Sequence, residues 1–321
     1  MLVNMKELLR VASEHGFAVP AFNISSYAMF NGIMDISERK NSPVIFEIHP
    51  DELKHIGTDF LDAMMKRISA TDIPSVIHLD HGASFENIMT AIRAGFTSVM
   101  IDGSALPFEE NAALCKKVVE AAHSAITYTV SFDGSDARKI DGDMKKWHYA
   151  PSKHAGCVSV EGELGNIGTT DKDKAFNQVI HYTQPEEAVR FVKETGVDML
   201  AVAIGTCHGL YPAGYTPKLK LDLLAEIKSA LEDAGLDVQL VLHGGSNNPD
   251  HEIETAAKCG ISKINISSDI KAAYYTKMRE VLQDTTLREP NVIEPLCIEA
   301  MQAVAAQKID LFGAAEKASL Y

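Results

Sequence analysis

A chain of 321 residues, 46% of them hydrophobic and 23% charged, is long enough to bury one large core without disulfide support, in the manner of a soluble globular enzyme. Its formal net charge of −14 argues against nucleic acid and anionic membranes as partners for the surface as a whole. An anionic substrate would need a locally positive site against that background, and a metal ion with backbone N–H groups would make one.

The N-terminal MLVNMKELLRVASEHG has the pattern of an amphipathic helix and lacks the apolar run of a signal peptide. The first strand-like run, Ala18–Asn23, precedes a helical pattern at Tyr27–Arg39. Runs at Pro43–Ile48 and Ser75–His81 flank a helix at Phe60–Ser69, and Ser98–Ser104 follows a helix at Phe85–Ala94. After a helix at Phe108–His123 come Cys157–Leu164, a helix at Pro185–Thr195, Met199–Gly205, a helix at Leu221–Ala234, Val238–Ser246, a helix at Asp250–Cys259 and Lys263–Asp269. Two or three further helices end the chain. The segments SVMID, LAVAI and QLVLH are apolar nearly throughout, as strands of a helix-covered parallel sheet should be. In RAGFTSVMID, ETGVDMLAVAI and KCGISKINIS a Gly separates helix from strand, where a left-handed residue ends the helix. Eight βα units in sequence predict a single-domain (β/α)₈ TIM barrel over residues 1–321. A doubly wound sheet would carry GxGxxG after its first strand, and none is present.

Two segments interrupt the rhythm. Ile126–Ala155 is an insertion before strand five in which the short strand TYTVSF leads into the polar FDGSDARKIDGDMKKW. It joins a helix to a strand on the face opposite the active site, and reads as an arm or an oligomer contact. Gly165–Tyr182 is a long polar connection on the catalytic face, the place of a lid.

The five cysteines, Cys115, Cys157, Cys207, Cys259 and Cys297, show no CxxC spacing and read as reduced thiols of a cytoplasmic protein. Cys207 beside His208 admits a thiolate ligand or nucleophile; a small packed residue is the favoured reading. No stretch approaches the roughly 20 apolar residues that cross a bilayer.

Reactive side chains concentrate at strand C-termini, where this fold builds its active site. Asp80 and His81 end strand three, Asp102 and Ser104 strand four, and Glu161 and Glu163 strand five. His208 follows strand six, His243 and Ser246 end strand seven, and Asn265, Ser267, Ser268 and Asp269 lie in strand eight. A lone His at such a place is more often a hydrogen-bonded structural residue. Three of them, each followed by Gly, favour a metal, since Gly lets backbone approach closely and three imidazoles leave a zinc position open for substrate. Adjacent Asp80 and His81 cannot both point inward from an ideal strand, so the strand end must relax if both serve.

The pieces AFN, PVIFEI, HLDHG, MIDGS, VSVEGELG, AVAIGTCHGLY, LVLHGGS and KINISSD stand in the order of one family. The chain resembles the class II, metal-dependent ketose-bisphosphate aldolases, the fructose- and tagatose-bisphosphate family, over nearly its whole length except roughly Ile126–Ala155. The resemblance implies one Zn²⁺ per subunit on His81, His208 and His243, with a monovalent cation as a further candidate. It implies Asp80 as catalytic acid/base, and Glu163 and Asp102 near an alternative metal position. Gly209, Gly244, Ser246, Ser267 and Ser268 match the 1-phosphate site, Asn265 the contact to the dihydroxyacetone portion, and Asn23 the substrate's edge. The implied reaction is reversible cleavage of a ketose 1-phosphate or 1,6-bisphosphate to dihydroxyacetone phosphate and an aldehyde, by a cytoplasmic homodimer or homotetramer.

Two departures bear on substrate. GTTDKDKA lacks the lid Glu often used in the family to exchange the carbon-bound proton; Asp171 or Asp173 could serve, or the loop is simply solvated. EIHP places Glu47 and His49 where the bisphosphate aldolases tend to carry small or hydroxylated residues, toward the aldehyde end. His49 either contacts a different terminal group or packs, so a 1-phosphate is better supported than a 6-phosphate. A modified sugar such as a 6-deoxy-6-sulfo ketose, and a non-catalytic aldolase-like subunit, are the competing readings. A metal-dependent hydrolase is disfavoured because strand one reads AFN rather than HxH.

Overall fold

A computed structural model describes residues 1–132, 147–151, 156–169, 180–212 and 214–321. Eight parallel strands close a barrel in chain order: β1 (Val19–Asn23), β2 (Val44–Ile48), β3 (Ser75–Gly82), β4 (Ser98–Ile101), β5 (Ser159–Leu164), β6 (Met199–Val202), β7 (Gln239–Leu242) and β8 (Ile261–Ile266). Strand β8 returns to β1 with Val19 opposite Lys263 and Phe22 opposite Ile266. Every residue of β1, β2 and β5 is buried, because one face meets the barrel interior and the other the helices. Gly95 and Gly196 end their helices in the left-handed conformation, as the Gly-then-strand pattern predicts. Among the described residues no helix is long and apolar enough to cross a membrane.

The strand ends at the mouth differ from the sequence reading. The runs read as reaching Ser104, Gly205, Ser246 and Asp269 stop at Ile101, Val202, Leu242 and Ile266. Positive φ at Gly205 and Gly244 takes the chain out of the extended conformation. Ser267 is the N-cap of the helix Ser268–Val281, so Ser268 and Asp269 open a helix rather than prolong β8. A short helix, Pro50–Ile56, also stands directly after β2. His49 caps it: its Nδ1 accepts from the Asp51 amide at 3.2 Å while Glu52 accepts from the His49 amide at 2.9 Å, a reciprocal capping arrangement with Pro at the first position. The C-terminal helices are Ser268–Val281 and Pro290–Leu311, followed by a 3₁₀ turn at Ala318–Leu320.

The insertion contributes an antiparallel hairpin, Tyr128–Phe132 with Trp147–Pro151, whose first strand lies near the helix Asp59–Ser69. Its tip, 133–146, and residues 152–155 are outside the described residues.

At the barrel's other end Asp198, buried at the start of β6, ties neighbouring elements together. Its carboxylate accepts from the Val160 amide at 2.9 Å and pairs with His123 Nε2 at 2.8 Å and Lys6 Nζ at 3.4 Å. The hydrogen bond to Asp198 raises the His123 pKa above its ordinary value. That contribution is therefore fully present below about pH 6.5 and is lost as pH rises through the raised value. Asp198→Ala strands a buried amide as well and is expected to cost on the order of 2 kcal/mol. Urea unfolding checks this; His123→Gln should lose the pH-dependent part alone.

Candidate active site

The three histidines named from sequence converge at the mouth. Ring centroids lie 4.8 Å apart for His81 and His243, 4.9 Å for His81 and His208, and 5.9 Å for His208 and His243. One ligand nitrogen from each falls within 4.8 Å of the others.

A local irregularity lets Asp80 and His81 both serve. The β3–β4 register slips between Leu79 and Gly82, and His81 takes φ = 48°, unusual for a side chain with a Cβ. Such bulges re-aim side chains beside active sites. Asp80 thus stays buried, yet both it and His81 line the cleft. Gly82 is required next to them, because a Cβ there would lie 2.6 Å from the Met100 carbonyl oxygen.

His208 is held from below. Cys207 and His208 pair in parallel with Gly168 and Thr169, and the Tyr211 hydroxyl accepts from the Cys207 amide at 2.8 Å. The β7 loop passes so close that a Cβ on Gly244 would collide with the Cys207 carbonyl. Cys207 is a packed residue: it is buried, burial raises its thiol pKa, and it belongs to none of the ligand groups found among the described residues.

Carboxylates orient the other two imidazoles. His81 Nδ1 lies 2.9 Å from Asp102 Oδ2, and Asp102 Oδ1 accepts from the Ser104 amide and hydroxyl at 3.0 and 2.7 Å. His243, fully buried, meets Glu161 through Nε2 at 2.7 Å. Its Nδ1 lies 3.1 Å from Glu163 Oε2, and neither of those two buried atoms has a hydrogen-bond partner. Burial alone would lower the His81 and His243 pKa values. For His81, Asp80 and Asp102 overcome burial and push the value up to about 9; for His243, Glu161 and Glu163 push it up to about 10. Burial and the charges on those two rings drive His208 down to about 3.

Nitrogen donors anchored by carboxylates on their far side, with two orphaned buried atoms beside them, fit a divalent cation of the zinc type. His81, Asp102 and Glu163 form a second overlapping ligand group, where the resemblance puts an alternative metal position.

Beneath lies a buried ionic stack that the sequence reading did not assemble. Lys263 Nζ reaches Glu47 at 2.8 Å and Glu161 at 2.9 Å, all three fully buried. Burial and then the Asp80 charge push Glu47 up to about 8. Burial opposes ionisation of Asp80 too, but His81, His243 and Lys263, with a 2.9 Å hydrogen bond from Asn23, hold its carboxyl well below the usual range. Asn265 donates to Asp80 at 3.4 Å. The period-2 spacing of Glu161 with Glu163, and of Lys263 with Asn265, was the available signal that these residues share the inward face.

A cleft of about 840 Å³ opens above. Asn23, His49, Asp80, His81, Asp102, Glu163 and His208 line it, with Gly209, Gly244, Ser246, Asn265, Ser267 and Ser268. Ser246 Oγ accepts from the Asp269 amide at 3.3 Å, Asp269 accepts from the Asn247 amide and pairs with Lys308 at 3.0 Å, and Asn248 donates to the Gly244 and Ser246 carbonyls. The ends of β7 and β8 are thereby locked together. Glu52 and Lys271, absent from the sequence reading, complete the wall. Asp171, and most of the candidate lid, fall outside the described residues.

The chain matches the family described as class II fructose-bisphosphate aldolase over residues 3–131 and 130–317. The YdjI aldolase from Escherichia coli K12 is 31% identical, with a TM-score of 0.78, over 99% of this chain and 100% of that one. A structure named as a fructose-1,6-bisphosphate aldolase from Coccidioides immitis is 25% identical, with a TM-score of 0.79 over 98% of each chain. The fructose-bisphosphate aldolase of Campylobacter jejuni, 20% identical, shares the fold with a TM-score of 0.72 over 98% of this chain and 96% of that one. The convergent histidines, the carboxylates that orient them and a family match over almost the whole barrel lead to one conclusion: this chain belongs to the class II fructose-bisphosphate aldolase family.

Proposed function

We propose that the protein is a zinc-dependent aldolase that reversibly cleaves a ketose 1-phosphate or 1,6-bisphosphate to dihydroxyacetone phosphate and an aldehyde. The observation that carries this reading is the convergence of His81, His208 and His243 beside a buried, ionised Asp80. A divalent cation on those three nitrogens, one per subunit, would supply Lewis-acid stabilisation of the enediolate charge left on the three-carbon fragment. A monovalent cation is a further candidate.

The chain's own residues supply the rest. Asp80, kept as carboxylate, takes the proton of the C4 hydroxyl as the C3–C4 bond breaks and returns it in the synthetic direction. Asn23 and Asn265 hold Asp80 in place through their amide groups, and Asn265 is the proposed contact to the dihydroxyacetone portion. Gly209, Gly244, Ser246, Ser267 and Ser268 receive the 1-phosphate through backbone N–H groups and hydroxyls at the start of the Ser268–Val281 helix. Binding through neutral donors lets a chain of net charge −14 accept an anion. Asp171 is proposed as the second proton carrier, acting on the carbon-bound proton. A cytoplasmic homodimer or homotetramer, with the Ile126–Ala155 insertion as contact, completes the reading.

Asp80→Ala is expected to retain zinc and lose about 10²-fold or more in kcat; unaltered turnover would remove Asp80 from the reaction. The raised His81 and His243 values make protons compete with the metal: each ring must lose one to bind, so zinc affinity rises as pH increases toward 9 to 10. Calorimetry at pH 7.5 in buffers of different ionisation enthalpy should record release of about two protons per zinc. Zinc content should fall in His208→Ala by elemental analysis, and an enzyme fully active after exhaustive chelation would sink the metal mechanism.

A further inference from the structure

The following inference rests on the aldolase reading and concerns the far end of the sugar. The proposed 1-phosphate corner lies at β7 and β8; continuing round the barrel, β1 and β2 carry a wall of different chemistry. Glu52 dominates it. One carboxylate oxygen accepts from Ser25 Oγ at 2.8 Å and from Lys271 Nζ at 2.5 Å, and the other accepts from the His49 amide at 2.9 Å. The Lys271 contact joins the helix after β8 to the helix after β2, across the end of β1.

Lys271 is the one Lys or Arg on the cleft wall among the described residues, and its charge is matched by Glu52. His49 Nδ1 accepts in capping its helix, which leaves the Nε2–H as the ring's donor. The wall therefore presents hydrogen-bonding groups around an internally matched Glu52–Lys271 ion pair, and the side chains of Asp80, Asp102 and Glu163 line the same cleft. A second phosphate arriving here would have to draw Lys271 away and face the carboxylate left behind. Hydroxyl groups would find donors and an acceptor without that conflict.

We propose that Glu52, with Lys271 and His49, selects ketose 1-phosphates whose far end is an uncharged polyhydroxyl chain and rejects a second, terminal phosphate. The test uses pairs of the same ketose as its 1-phosphate and its 1,6-bisphosphate, across C3 and C4 epimers. Affinity is measured by calorimetry on zinc-loaded Asp80→Asn enzyme, which should bind without turnover, and kcat/KM on the active enzyme. The monophosphate should be preferred at least tenfold in both. Glu52→Gln should narrow that ratio severalfold and Lys271→Met should widen it, so the two variants move in opposite directions. Equal or tighter binding of the bisphosphate, or a ratio unmoved in both variants, overturns the proposal. The expected binding ratio without cleavage of either sugar would strike the aldolase reading and leave this one standing. Failure to bind any of the sugars would count against both.

Discussion

One buried line of interacting ionisable groups at the barrel axis underlies the site: Glu47, Lys263, Glu161 and His243. A buried ammonium without partners would cost many kcal/mol. Here Glu161 and then Glu47 flank it and raise its pKa, against the effect of burial. Lys263 in turn keeps Glu161 ionised, and Glu161 holds His243 by Nε2 so that Nδ1 is presented toward Glu163. The same ammonium helps to hold Asp80 deprotonated. The placement of His243 and the ionisation of Asp80 are therefore set from one place below the cleft.

The barrel was legible because its signal is repeated. Continuous apolar runs such as LAVAI, separated by helices ending in Gly, specify buried parallel strands whatever lies at their ends. The histidines were legible because each stands where such a run stops. The exact stopping points were not, since β7 and β8 end where backbone turns rather than where hydrophobicity does: Gly244 has φ of 63°, and Ser267 caps a helix. The conflict between neighbouring Asp80 and His81 was visible, but its resolution was not, because a left-handed histidine leaves no mark in the sequence and the adjacent Gly82 would have been the natural guess. The Glu52–Lys271 pair spans 219 residues, and neither residue type is rare enough to announce a contact.

The proposed metal site and the proposed selector for the sugar's far end lie in different parts of the molecule. His81, His208 and His243, with Gly82 and Gly244, which allow close approach, lie at or just after the ends of β3, β6 and β7, inside the segments that match the family. The wall after β2 carries the departure, in the EIHP segment and in the helix that His49 caps, whose first turn holds Glu52. Loops can diverge while the scaffold's inward residues stay constrained, which is how one barrel serves many substrates.

The left-handed backbone of His81 also limits the paths along which this site can drift. Asn, Asp and Gly tolerate that conformation better than other residues, whereas a β-branched replacement would be a severe outlier. Of the tolerated set only Asp would still offer an ionised ligand, and a carboxylate in place of imidazole shifts preference from zinc toward harder, oxygen-seeking ions. For the metal site proposed here, a single backbone dihedral thus restricts replacement of this ligand largely to a carboxylate.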